Sequence, residues 1–61
     1  MITIRKATYW NGRMGKATAC VNKFADGRAA FKHGSYDFMV YQTEADAIRA
    51  FDEFMQGKDA A

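Results

Sequence analysis

Two side chains with nucleophilic or metal-binding chemistry stand in this chain, Cys20 and His33. A metal site needs several His, Cys, Asp or Glu ligands at matched spacing. These two stand alone, thirteen residues apart. As a pair they could supply a thiolate and its base, yet no third orienting group and no oxyanion hole accompany them. The structural reading, a turn or surface histidine and a small packed thiol, is preferred. Asp52 and Glu53 are adjacent carboxylates. Two carboxyl groups flanking a bond can cleave a glycoside, but neighbours on a polar helix face read as solvated charges. With no constellation and no pocket-sized scaffold, the chain is expected not to be an enzyme, and no cofactor or metal is assigned.

Binding chemistry has more to stand on. Residues 1–32 carry Arg5, Lys6, Arg13, Lys16, Lys23, Arg28 and Lys32 against Asp26 alone, a net of +6. Residues 33–61 carry Arg49 and Lys58 against Asp37, Glu44, Asp46, Asp52, Glu53 and Asp59, a net of −4. The overall +2 hides a basic half and an acidic half, so one surface can attract a polyanion while another repels it. Tyr9, Trp10, Phe31, Tyr36, Phe38 and Tyr41 all fall in segments of strand character. Most must be core, and two or three are expected on an open face beside Arg5, Lys16, Arg28 or Lys32. Aromatics interleaved with cations suit nucleic acid, by stacking and phosphate contact. They equally suit a protein interface, where Tyr, Trp and Arg dominate. Gly12-Arg13-Met14-Gly15, followed by Lys16, has the Gly-x-x-Gly spacing of the RNA-clamping loop of KH domains. That loop joins helices, whereas this one lies between strands, and it reads as a five-residue hairpin loop.

These residues must be positioned by a very small scaffold. Sixty-one residues allow one domain, which hides only roughly 60% of the surface its unfolded chain exposes. With 49% hydrophobic and 26% charged residues, the composition is that of a folded domain rather than a disordered one. One cysteine forms no internal disulfide, which suits a reducing cytoplasm. The N-terminus lacks the apolar stretch of a signal peptide, and no apolar run reaches the ~20 residues that span a bilayer. A soluble, cytoplasmic protein without membrane association is expected.

The hydrophobic period changes along the chain. Asn11-Gly12 and Asp26-Gly27 are hairpin signals, and Gly34-Ser35 is a weaker turn signal. Between them, residues 2–10, 16–24, 28–33 and 36–41 alternate with a period of two, the pattern of strands with one buried face. Ala17, Ala19 and Val21 fall on one side of the second segment, and Thr18, Cys20, Asn22 and Phe24 on the other. Whether 28–41 is one bent strand or two is left open. From Thr43 the period becomes helical. Ala47, Ile48, Phe51, Phe54 and Met55 form a stripe about 100° wide, with Asp46, Arg49, Asp52, Glu53 and Gln56 opposite. Thr43 is the expected N-cap of a helix over about 44–56, in a capping box with Asp46 in place of Glu. Gly57 is the expected stop, in the left-handed conformation, before a frayed tail at 58–61. The predicted fold is α+β: an antiparallel three- or four-stranded sheet followed by one C-terminal helix packed on one face.

The segment from Thr43 to Asp52, Thr-Glu-Ala-Asp-Ala-Ile-Arg-Ala-Phe-Asp, resembles the strand-to-helix passage of the plant APETALA/ethylene-response type DNA-binding domain. Related arm-type modules stand at the front of phage integrases. Gly15-Lys16 resembles the Gly-Lys that opens one strand of that family. The resemblance spans about Tyr9 to Gly57. It implies a three-stranded sheet on one helix that reads the major groove from the sheet, with Trp10, Arg13, Lys16 and Arg28 as the matching candidates. In size and architecture alone, the chain also resembles the small phage-encoded inhibitors of host machinery, anti-CRISPR proteins among them. Those share no signature, so no residue is carried over. A lone small domain with nothing to recruit acts by occupying a surface. The favoured expectation is therefore a non-enzymatic inhibitor that blocks a larger protein or nucleoprotein complex, in the host cytoplasm if phage-encoded. Its acidic helix face, Asp46, Asp52 and Glu53, or its basic and aromatic sheet and loop, Arg5, Trp10, Arg13, Lys16, Arg28 and Lys32, would form the contact. The alternative is a small nucleic-acid-binding domain using the sheet face. A homodimer is a further option.

Overall fold

The computed structural model describes residues 1–13, 15–34 and 37–58. Four strands, β1 (Ile2–Asn11), β2 (Gly15–Lys23), β3 (Ala29–His33) and β4 (Asp37–Tyr41), precede one helix, α1 (Glu44–Gln56). The strands form an antiparallel meander in the order β1-β2-β3-β4, and α1 packs across β2, β3 and β4. The α+β expectation holds in its four-stranded form, and residues 28–41 are two strands. The expected Tyr36 position lies outside the described residues.

Alternation along each strand sorts the side chains. Ala7, Tyr9, Ala17, Ala19, Val21, Ala29 and Phe31 face α1, which presents Ala47, Ile48, Phe51, Phe54 and Met55 to them. Ala19, Ala29 and Ala47 have no exposed surface. Their small side chains let the helix approach the sheet closely. The aromatic rings fill the space at either side of that contact. Phe31 meets Phe51 edge-on at 6.2 Å and Phe54 at 5.5 Å, and Tyr9 meets Phe54 edge-on at 5.1 Å, the arrangement that ring quadrupoles favour. His33 stacks on Phe54 at 4.4 Å. His33 thus lies at the end of β3, half-buried, rather than in a turn.

Two of the expected turn devices work differently. The β1–β2 connection is shorter than the expected five-residue loop, with residues 12–14 between paired strand ends, of which Met14 lies outside the described residues. Asn11 pairs with Gly15, and the positive φ falls on Gly15, at 83°. The Asn11 side chain accepts the Arg13 N–H at 3.1 Å, an Asx turn that starts the loop. At the next turn, Phe24 N–H donates to Arg28 at 2.8 Å and Gly27 N–H to Phe24 at 3.2 Å. Gly27 takes φ 96°, as a three-residue hairpin loop requires. Strand ends consequently move by one residue from the expected ones.

The helix starts as expected. Thr43 is extended, and its hydroxyl oxygen accepts the Asp46 N–H at 3.2 Å. Glu44 and Asp46 lie in the first turn, where the helix dipole favours negative charge. Thr43→Ala should cost about 1 kcal/mol. For a domain of this size that lowers the melting temperature by roughly 4–8 °C, measurable by circular dichroism. The end of the helix differs from the expectation. Gly57 has φ −94°, so it is not left-handed. The chain instead leaves through a tighter turn in which the Lys58 N–H donates to Met55 at 3.1 Å. The Lys58 ammonium lies 4.6 Å from the Phe54 ring centroid and 5.8 Å from that of Tyr9; the rest of the expected tail, 59–61, lies outside the described residues.

Candidate binding face

Among the described residues, no element packs on the sheet face opposite α1. Cross-strand register arranges it in rows. Thr3, Asn22, Ala30 and Val40 form one, Lys6, Cys20, Lys32 and Phe38 the next, then Thr8 with Thr18, and finally Trp10 with Lys16. Three lysines and two large aromatic rings share this face, and no Asp or Glu holds a position in these rows. Trp10 is 53% exposed and Phe38 62%. A lysine ammonium is a compact point charge suited to phosphate, and exposed rings suit stacking. Asn22 accepts from the Thr3 hydroxyl at 2.7 Å and its amide reaches Cys20 Sγ at 3.8 Å, so the polar row at this end is knitted together. The last three pairs of the β1–β2 hairpin, Tyr9–Ala17, Trp10–Lys16 and Asn11–Gly15, lie beyond the end of β3. Trp10 and Lys16 are thus carried on a projecting two-stranded ribbon with Arg13 in its exposed turn.

The six basic and aromatic candidates divide. Trp10, Lys16 and Lys32 come together on the open face, and Arg13 sits at the ribbon tip. Arg5 does not join them. Arg5, one residue before Lys6, alternates to the helix side, where it opposes Val21, and its guanidinium donates to the Ile4 carbonyl at 2.8 Å. Arg28 also stands apart, in the β2–β3 turn. Its Nε is 2.8 Å from Asp26 Oδ2, and its guanidinium lies over Phe24. The Asp26 carboxyl is held below the usual range, first by the Arg28 backbone N–H and then by the Arg28 side chain, against the opposing effect of desolvation. Lys23 is likewise engaged, 3.2 Å from Glu44. Arg5, Lys23 and Arg28 thus have internal partners, while among the described residues no carboxylate pairs with Lys6, Lys16 or Lys32. Lys6 was not among the candidates. Counting back in twos from Trp10 through Thr8 places it on the same side, so its signal was present in the strand period.

Asp46, Asp52 and Glu53 are exposed on the outer side of α1. At 100° per residue they span about a third of the helix circumference, with Arg49 between them, so this patch is less uniformly acidic than a list of its carboxylates suggests. Cys20 is partly buried between Lys6 and Lys32. Among the described residues no three His, Cys, Asp or Glu side chains converge to hold a metal, and no helix is long and apolar enough to cross a membrane. Comparison with known proteins yields no match to a family model, a curated protein or a solved structure.

Proposed function

We propose that the protein is a non-enzymatic binding module that lays the helix-free face of its sheet on nucleic acid. The observation that carries this reading is the joint presence of Lys6, Lys16, Lys32, Trp10 and Phe38 on one face, with no carboxylate in its rows among the described residues. The face holds lysines rather than arginines, which suits phosphate contact more than the bidentate reading of bases. Its binding is therefore governed by salt rather than sequence. The projecting ribbon is narrow enough for a major groove about 12 Å wide.

The test is an anisotropy titration of two labelled duplexes of different sequence. Three phosphate contacts should give a log–log salt slope near −2.7, about a 40-fold loss of affinity between 50 and 200 mM salt, equal for both duplexes. Trp10, the only tryptophan, should change its fluorescence on binding. An unchanged Trp10 signal, with no affinity at either salt, would overturn the reading.

A second reading has its own observation. The exposed carboxylates Asp46, Asp52 and Glu53 form a separate surface that could meet a basic patch on a larger nucleoprotein complex. The chain would then act as an inhibitor by surface occupation. Inhibition of a nucleic-acid-processing complex that survives neutralisation of the lysines but not reversal of Asp52 and Glu53 would favour it.

A further inference from the structure

β4 is the last strand of the sheet, yet it does not read like an edge. Phe38, Met39 and Val40 are exposed by 62%, 62% and 45%. Phe38 and Val40 stand on the open face, and Met39 on the helix side. A strand apolar on both faces is the pattern of a sheet interior. An edge strand normally alternates, or carries charge, a bulge or proline to prevent further pairing. The other edge obeys that rule: β1 has a bulge between Thr3 and Arg5, and carries Arg5 and Lys6 in sequence. A shallow depression lined by Phe31, His33, Phe38, Met39 and Tyr41 lies along β3 and β4.

We infer that β4 pairs antiparallel with β4 of a second copy of this chain, about a two-fold axis through Met39. β4 runs Asp37–Tyr41, so Met39 is its central residue and the strand is self-complementary in length. The two-fold sets Phe38 against Val40 of the partner, large against medium, and Met39 against Met39 beside the depression. It also separates the two copies of Asp37 to opposite ends, so no like charges oppose each other. A contact from β4 to β1 of another copy would be heterologous and would grow into an open-ended array. The β1 bulge and its cations disfavour it. The two-fold pairing closes. It produces an eight-stranded sheet with both helices on one side and both lysine faces on the other. Five paired residues make a modest interface, so dimerisation depends on concentration.

The register gives a sharp test. In a Cys20→Ser background, Met39→Cys places two thiols directly opposite each other. Residues so paired have Cα atoms about 4.5–5.5 Å apart, within the span of a disulfide. Oxidised glutathione should convert that variant to a covalent dimer, while Phe38→Cys, which faces Val40, should cross-link far less. Sedimentation of the unaltered protein should show a monomer–dimer equilibrium, and Val40→Lys should shift it to monomer with an unchanged melt. A unaltered chain that stays monomeric at every concentration overturns the inference. So does equal cross-linking at positions 38 and 39, or growth into larger species, either of which would mean a different contact or an extraneous strand on this edge.

Discussion

Phe51→Ala leaves the protein largely unfolded at room temperature. Phe51 is the buried aromatic at the middle of the α1 stripe, edge-on to Phe31, and α1 reaches the sheet through the Ala19, Ala29 and Ala47 contact beside it. Truncating a buried phenylalanine costs ~3–5 kcal/mol. A domain of this size commands roughly 3–9 kcal/mol in total, at about 0.05–0.15 kcal/mol per residue. No disulfide compensates. Thermal melting followed by circular dichroism reads the result directly. Asp52→Ala, one position away and exposed, is the control and should stay within about 0.5 kcal/mol. A cooperative melt of Phe51→Ala within a few degrees of the unaltered protein would mean that the helix does not anchor the sheet.

The second large effect is on binding. Replacing Lys6 and Lys32 together with alanine removes two of the three cations on the open face. Each lost phosphate contact weakens binding roughly tenfold near 0.1 M salt and flattens the log–log salt slope by about 0.9. The double variant should therefore bind duplex about a hundredfold more weakly, with a slope near −0.9. Both side chains are exposed, so the melt should not move. Arg28→Ala is the informative comparison. Its guanidinium is engaged by Asp26 and Phe24, and its loss should leave affinity nearly unchanged. If Arg28→Ala weakens binding as much as the lysine pair, the contact surface lies around the β2–β3 turn instead.

The difference between Lys6 and Arg28 shows what a linear reading can reach. The period of two in β2, and the 3.6-residue period from Ala47 to Met55, were visible because burial on one face imposes them directly. The position of Lys6 follows from the same period. That period also assigns Arg5, one residue away, to the helix side; what it does not reveal is the bulge before Arg5, decided by pairing with β2 far away in sequence, which brings Thr3 onto the open face beside Asn22. Arg28 was misplaced for a local reason. The turn folds its side chain back onto Asp26 two residues earlier, turning an apparent binding cation into part of the turn. The openness of β4 was hidden altogether. Apolar residues there match an interior strand, and only the order of strands makes them an edge. At Gly57, glycine marked the end of the helix but not how the chain leaves it, which depends on the Lys58 amide reaching Met55.

The projecting β1–β2 ribbon divides two strands between different cooperative units. From Ala19 to Lys23, β2 has hydrogen-bonded neighbours on both sides, and the helix covers it. From Gly15 to Ala17 it has one neighbour. Backbone amides near the tip can therefore open without disturbing the rest, in a local fluctuation far cheaper than global unfolding. Tyr9, held between Phe54 and Lys58, is the clamp at which that fraying stops. A ligand that grips Trp10 and Lys16 must quench this motion, and the lost entropy is set against its affinity. Tightening the clamp would strengthen binding at the tip without adding a single contact to the ligand.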